Sequence, residues 1–249
     1  MSNKTDSNTY TILFAIGMVV VVGSLLAFVA SSLRPKIDEN KRIEKQQNIL
    51  YTMGVHENDE TSVAFVADNK VGEEFTKYIT KQLVITNGTN VKEDENAYLI
   101  DIKKEQQNAK DGKERQLPLF VGEKDGKTFY IAPIRGKGLW DAVWAYVAMD
   151  ENMIVQGAYF DHKGETAGLG ANIKERYFMD DFIGEHLLNA SGDFAGIAIS
   201  KGNGDPLNND KQDNEVDAIA GATITGDGVA AMIKSELKLY VPYFKTLKN

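Results

Sequence analysis

The chain has 249 residues, and 36 Asp and Glu against 28 Lys and Arg give it a formal net charge of −8, which disfavours nucleic acid as a partner. It has no cysteine, which excludes cysteine-ligated iron–sulfur clusters, haem attached through Cys-x-x-Cys-His and thiol catalysis. Its three histidines leave little for a transition-metal site, and neither a Rossmann glycine fingerprint nor a Walker P-loop occurs.

Residues 1–33 predict a short tail followed by a transmembrane helix. Residues 7–33 contain no charged side chain. Since roughly 20 helical residues cross a hydrocarbon core of ~30 Å, this stretch is long enough to span with some tilt. A cleaved signal peptide is the alternative, because Ala30 is followed by two serines. The apolar run is longer than the usual signal core of about 7–15 residues, however, and Lys4 is the only side-chain cation before it.

The charges around the span predict an orientation. Five cations lie within residues 34–45, whereas only Lys4 and the α-amino group precede the span. The positive-inside rule by itself would therefore place the soluble part in the cytoplasm.

The soluble part begins with helical patterns and continues with hairpins. We predict helices over residues 37–53 and 68–82, because apolar residues recur there at helical spacing. A strand is predicted over 97–102. Alternating segments predict one β-hairpin over 119–134, with Asp-Gly as its turn, and another over 143–160.

The C-terminal third mixes short elements. We predict a helix over 173–183, a buried strand over 195–200, a polar loop over 202–214, a short strand over 216–219 and a closing helix over 227–240. The fold class expected is α+β, a hairpin-rich mixed sheet packed with helices. We expect residues 34–90 to form a helical linker and the first part of the soluble domain, and residues 91–249 its main domain.

The start of the closing helix carries the strongest chemical signal. A helix N-terminus has unpaired N–H groups and a positive dipole end, so it binds phosphate. Gly221, Ala222 and Gly226 keep the backbone approachable there. The hydroxyls of Thr223 and Thr225 stand two residues apart, and one of them could be esterified by a phosphoryl group.

The alternative interpretation of this segment is an ordinary capped helix. Thr225 and Asp227 are both good N-cap residue types, and small residues before them would serve tight packing.

Two further glycine-rich loops, at residues 136–140 and 162–171, each hold an apolar anchor. Trp140 and Leu169 could cover a flat aromatic ring, while Glu165 could hydrogen-bond its polar edge. Thr166 could also hydrogen-bond this polar edge. The alternatives are core packing for Trp140 and a surface hydrogen bond between His162 and Glu165, since a His-x-x-Glu pair is too few ligands for a metal.

Together these segments resemble the FMN-binding domain family. That family shares a Gly-x-Gly-Leu-Trp loop, a His-x-x-Glu-Thr-x-Gly-Leu-Gly loop and an Asp-x-x-(Ser/Thr)-Gly-Ala-Thr-x-Thr flavinylation site, which stand here in order at residues 136–140, 162–170 and 217–225. The chain departs from the pattern at Ala220, where Ser or Thr is usual, and at Ala167, where proline is usual.

The resemblance implies FMN as a covalent cofactor, with its phosphoester on Thr225 and with Thr223 helping to bind the phosphate. Asp217 matches the aspartate that the family's flavin transferase needs. The other positions expected around the flavin are Leu139, Trp140, Glu165, Thr166, Leu169, Gly170, Gly221 and Ala222.

Within this family the chain is similar to the C subunit of sodium-translocating NADH:quinone oxidoreductases. A single N-terminal span and the run at residues 45–50 (Lys-Gln-Gln-Asn-Ile-Leu) support this. The G subunit of the related Rnf complex is the runner-up, although it is usually shorter before the position of Gly136.

The resemblance further implies an electron-transfer subunit of a respiratory complex in the bacterial inner membrane, with little activity alone. Its implied partners are the flavin-carrying B subunit, the iron–sulfur-carrying subunits D/E and F, a flavin transferase and membrane lipid, with no nucleic acid. It places the soluble domain on the periplasmic side, against the charge count. A membrane-tethered module that binds its ligand non-covalently is the alternative; a stand-alone flavin reductase would need an NADH site, and the sequence shows none.

Overall fold

The structure, a computed structural model, describes residues 7–58, 62–202, 205 and 207–248. The chain forms two compact units, Met1–Arg42 and Ile43–Asn249. The domain boundaries predicted after residues 33 and 90 stay predictions. The beginning of the N-terminal tail and part of the polar loop predicted at 202–214 lie outside the described residues.

Helix α1, Asn8–Thr52, combines the predicted span and the predicted helix that follows it. Pro35 lies inside α1 without ending it. In the first unit, α1 exposes its apolar side chains, and among the described residues it is the one helix that is long and apolar enough to cross a membrane. In the second unit, Ile49 and Leu50 at the end of α1 are fully buried in the core.

The second unit is built on a six-stranded antiparallel sheet with the order β2-β1-β3-β4-β5-β6. The strands are β1 Ile79–Thr86, β2 Asn90–Glu93, β3 Leu117–Lys124, β4 Lys127–Lys137, β5 Ala142–Met149 and β6 Val155–His162. Both predicted hairpins are confirmed. Asp125 and Gly126 join β3 to β4 with φ of 52° and 75°, as the favoured two-residue turn requires.

A small parallel sheet and several helices complete the described part of the unit. Strands β7, Ala198–Ser200, and β8, Glu215–Asp217, pair in parallel, with Ser200 opposite Asp217. The helices are α2 Val71–Tyr78, α3 Ile102–Lys110, α4 Arg176–Asp181, α5 Thr223–Leu237 and α6 Val241–Leu247. Short 3-10 helices lie at Ala97–Leu99, Gly170–Lys174 and Lys238–Tyr240.

Helix α5 packs closely across β4. A Cβ added to Gly136 of β4 would lie 2.7 Å from Cβ of Met232, and one added to Gly228 of α5 would overlap the carbonyl oxygen of Lys137. Val229 and Ile233 of α5 are buried in the core. This close packing fixes the N-terminus of α5 beside the end of β4.

Several predicted elements need correction. The helix predicted over 68–82 ends at Tyr78, because the following residues pair with β3 as strand β1. The strand predicted over 97–102 is wrong: a 3-10 turn leads into α3, whose N-cap Asp101 accepts the backbone N–H groups of Lys103 and Lys104 at 2.9 and 3.2 Å.

The other corrections concern boundaries. The buried strand predicted over 195–200 is instead Ala198–Ser200, and none of its three residues is buried. The closing helix predicted over 227–240 begins earlier, at Thr223. The helix predicted over 173–183 divides into a 3-10 turn and α4, and the strand predicted over 216–219 is instead Glu215–Asp217. The α+β class and the N-terminal apolar helix are confirmed.

Candidate functional site

Helix α5 begins without a side-chain cap. Its N-cap is Ala222, so the helix starts four residues before the predicted Asp227, and neither Thr225 nor Asp227 caps it. In the described part of the chain, the backbone N–H groups of Thr223, Ile224 and Thr225 meet no acceptor. Three donors at the positive end of a helix dipole are therefore free to bind an anion.

The side chain of Thr225, in the first turn of α5, is turned inward. Thr225 is 1% exposed, and its Oγ1 donates a hydrogen bond to Oε2 of Glu165 at 2.6 Å. Glu165 lies 60 residues earlier, in the loop after β6, and is also buried. Its Oε1 accepts the backbone N–H of Trp140 at 3.0 Å. Glu165 therefore joins all three segments that the sequence singled out.

Two glycines make room for this carboxylate. A Cβ on Gly138 would lie 2.6 Å from Oε1 of Glu165. A Cβ on Gly170 would lie 2.7 Å from Oε2 and would overlap Oγ1 of Thr225. Real Cβ atoms do not approach other atoms so closely, so both positions need glycine for space.

The carboxylate of Glu165 is held in its charged form. Burial raises its pKa, but hydrogen bonds from Thr225 and from the backbone N–H groups of Trp140, Asp141 and Leu139 outweigh burial and leave the pKa below its usual value. The backbone N–H of Glu165 donates to Nδ1 of His162 at 3.1 Å. The alternative of a surface hydrogen bond between His162 and Glu165 is thus met in part: the two residues are hydrogen-bonded, but the bond is part-buried and uses the main chain of Glu165, whose side chain is buried.

Exposed apolar side chains surround the start of α5. Trp140 is 68% exposed, so core packing does not explain it, and its Nε1 donates to Oγ1 of Thr166 at 3.1 Å. Leu139 and Leu169 are also exposed, and so is Ile224 within α5. Unpartnered apolar groups of this kind can cover a flat ring or contact a partner protein.

The loop before α5 holds the remaining predicted residues. Gly221 has a φ of 76°, and a Cβ on it would lie 2.9 Å from Cδ2 of Leu169. Ala222 is buried and Thr223 is exposed. Asp217 ends β8, and after the larger effect of burial its charge helps to raise the pKa of Asp181.

The structure thus brings Thr225, Glu165, Gly170, Trp140 and Thr166 into one connected set of contacts. A separate close contact joins the side chain of Leu169 to Gly221. Sequence reasoning missed Ile224, whose exposure only the helix register reveals. It also missed that Glu165 faces Thr225, since two residues so far apart along the chain leave no spacing signal.

Known proteins resemble this chain both in the region of the candidate site and over nearly its whole length. The family model for the FMN-binding domain matches residues 138–238. The C subunit of the Na(+)-translocating NADH-quinone reductase of Pseudomonas aeruginosa is 30% identical to it, over 92% of this chain and 90% of the relative. This chain belongs to the family of C subunits of the Na(+)-translocating NADH-quinone reductase.

Other members of this C-subunit family agree. The protein of Vibrio alginolyticus is also 30% identical over 92% of this chain and 90% of its own length. The crystal structure of the C subunit from Parabacteroides distasonis superposes with a TM-score of 0.72 at 30% identity, covering 85% of this chain and 96% of that one. The crystal structure of NqrC from Shewanella oneidensis gives 0.67 at 25% identity, covering 84% and 98%.

Membership of the C-subunit family confirms the resemblance found in the sequence. The chain is a component of an oxidoreductase complex and an electron-transfer flavoprotein with an FMN-binding domain. The apolar part of α1 anchors it in the membrane.

Proposed function

We propose that this chain carries FMN as a phosphoester on Thr225 and relays electrons within a Na(+)-translocating NADH-quinone reductase. The observation that carries the proposal is the placement of Thr225 in the first turn of α5, beside three backbone N–H groups that meet no acceptor among the described residues. These donors and the helix dipole supply what a phosphate needs.

The residues present fit FMN. The N–H groups of Thr223, Ile224 and Thr225 would hold the phosphate, and the exposed hydroxyl of Thr223 would add a donor. The apolar side chains that would cover the ring are Leu139, Trp140, Leu169 and Ile224. Thr166 would meet a polar edge, the exposed Gly221 would keep the backbone before α5 accessible, and Gly170 gives Thr225 its space. Ala222 is buried, so its contact with the cofactor stays a prediction. When bound, FMN supplies one-electron and two-electron chemistry.

The role of Glu165 at the ring edge stays a prediction. In the structure its carboxylate serves Thr225 and Trp140 instead. Asp217 is proposed as a contact for the flavin transferase that attaches the cofactor, since it lies at the start of the loop that leads into α5.

The proposed electron path uses partner subunits on both sides. The chain has no cysteine to hold a cluster, so an iron–sulfur centre on subunits D/E or F would supply electrons, and a second FMN on the B subunit would accept them. The exposure of Trp140 and Leu169 supports this, because a shallow site leaves the cofactor accessible to partners. Membrane lipid surrounds the first part of α1, and the soluble unit is proposed to face the periplasm.

The attachment is tested on a denaturing gel. The full chain is co-expressed with the flavin transferase, and flavin fluorescence is recorded in the protein band after denaturation. We expect fluorescence in the wild-type chain and in Thr223→Ala, and none in Thr225→Ala. A fluorescent Thr225→Ala band would contradict the assignment of Thr225.

One observation favours a second candidate. Thr225 is 1% exposed and its hydroxyl is already hydrogen-bonded, so the hydroxyl is inaccessible to an incoming phosphate in this conformation. A module that binds FMN without a covalent bond would not need that hydroxyl to be accessible. In that case the gel band would be dark for every variant, while the native protein would remain yellow.

A further inference from the structure

The hydroxyl of Thr225 has an unusual hydrogen-bond acceptor for a residue in a helix. Two hydroxyls in the middle of other helical turns of the second unit bond backwards to the main chain: Thr76 donates to the carbonyl of Gly72 at 2.9 Å, and Ser235 to that of Ala231 at 2.8 Å. Thr225 instead donates to the carboxylate of Glu165. A neutral carbonyl would satisfy the hydroxyl without the penalty of burying a charge.

The fold holds this charge in one position. Hydrogen bonds from the loop between β4 and β5 fix the carboxylate from one side, among them the backbone N–H of Trp140. Gly138 and Gly170 leave room for its two oxygens, since a Cβ at either position would lie 2.6 or 2.7 Å from one of them. An ionised and immobile carboxylate at 2.6 Å from a hydroxyl has the geometry of a general base.

We propose that Glu165 is the base that removes the proton of Thr225 when the flavin is attached, an inference that rests on the phosphoester proposed above. The donor must be an activated flavin phosphate, for which flavin adenine dinucleotide has the required phosphoanhydride. The Oγ1–P bond to the FMN phosphate forms, the P–O bond of the anhydride breaks, AMP leaves with the bonding electron pair, and the hydroxyl proton passes to Oε2 of Glu165.

Other groups are less well placed for this proton. Nδ1 of His162 already accepts the backbone N–H of Glu165. Among the described residues, Glu165 is the carboxylate that accepts a hydrogen bond from Thr225. The free N–H groups at the start of α5 lie where they can hold the phosphate during the transfer. Within four residues along the chain of Trp140, Glu165, Gly170 or Thr225, the other charged or titratable side chains are Lys137, Asp141, Asp161, His162, Lys163, Lys174 and Asp227.

The test compares the rate of flavin attachment in variants of the full chain, with purified flavin transferase and flavin adenine dinucleotide. Intact mass spectrometry measures the fraction of chain that has gained FMN less one water. We expect Glu165→Gln to slow attachment by about 10²- to 10⁴-fold. Glu175→Gln, which changes an exposed carboxyl before α4, is the matched control and should react like wild type.

The pH dependence separates a base from a structural support. Dividing each variant's rate by the wild-type rate at the same pH removes the transferase's own pH dependence. For Glu165→Gln this ratio should rise between pH 6 and 8, by up to about tenfold per unit, because hydroxide must then take the proton. Glu165→Asp keeps a carboxylate and should give a partial rate with a flat ratio.

The possible outcomes separate this role from the phosphoester itself. A Glu165→Gln rate equal to wild type, or a reduced rate with a flat ratio, would overturn the role of Glu165 as the base while leaving the phosphoester intact. If Glu165→Gln does not fold, as judged by its Tm, Glu165→Asp with a ratio that rises with pH would overturn it. An unmodified wild-type chain would instead count against the proposed function.

Discussion

Gly170 lies against the hydroxyl of Thr225 so closely that any side chain at residue 170 would occupy the space of Oγ1. The two residues are brought together from the 3-10 helix after β6 and from the first turn of α5. The glycine therefore controls whether Thr225 can keep its position beside Glu165.

Gly170→Ala should reduce flavin attachment at least about tenfold, because the added methyl displaces Thr225 or the carboxylate, whose Oε2 would lie 2.7 Å away. The fraction of chain carrying flavin after co-expression with the transferase measures this. Gly164→Ala in the same loop is the control, since a Cβ there meets nothing within 4 Å. Equal labelling of both variants would show that the close approach has no role.

Glu185 should make stability depend on pH. It is fully buried, and burial raises its pKa from 4.5 to about 7, with the charge of Lys211 only partly opposing. Because the pKa of Glu185 is higher in the folded state than in the unfolded state, protonation of Glu185 stabilises the fold. This stabilisation is complete below about pH 4.5 and is lost as the pH rises through about 7. The free energy of unfolding should fall by about 2 to 3 kcal/mol over this window.

Urea unfolding of the full chain in detergent, at pH 5 and at pH 8, measures this change. Glu185→Gln should lose most of the difference between the two pH values. Glu175→Gln, which changes an exposed carboxyl, should keep it. A wild-type chain more stable at pH 8 than at pH 5 would contradict the prediction.

The ion pair between Arg115 and Glu236 should contribute to stability. Both side chains are largely buried, and the pair ties the segment before β3 to α5, 121 residues later. Arg115→Met leaves Glu236 buried without its partner and should lower the Tm by about 6–12 °C, equivalent to about 3 kcal/mol. Lys77→Met removes the exposed pair with Glu74 and should change the Tm little. Equal Tm values for the two variants would refute the prediction.

The orientation of the soluble unit can be tested with single cysteines, because the native chain has none. Ser191→Cys, in the second unit, should react with a membrane-impermeant maleimide on spheroplasts. Ser7→Cys, before the span, should react only after lysis. The reverse pattern would follow the positive-inside rule and contradict the periplasmic placement.

The elements that sequence alone predicts are those with local patterns. Alternating residues and the Asp125-Gly126 turn are enough for the β3–β4 hairpin. The start of β1 is predicted wrongly because Ile79 continues the helical spacing of Val71 and Phe75, and pairing with β3 overrides that preference. The cap at Asp101 is a local signal that could have predicted α3.

The candidate site is predictable in its parts and not in its assembly. Three glycine-rich segments stand out in the sequence, and the structure explains two of their glycines, Gly138 and Gly170, by contact with Glu165. The bond from Thr225 to Glu165 is a tertiary contact, so no periodicity or spacing reports it. The inward direction of Thr225 likewise depends on where α5 begins, which the sequence pattern places four residues too late.

The most direct measurement of the central claim is mass spectrometry of the tryptic peptide 212–234 from the complex purified from its membrane. We expect a mass increase of FMN less one water, which fragmentation assigns to Thr225 rather than to Thr223. An unmodified peptide, or a flavin on any other residue, would contradict the proposed attachment.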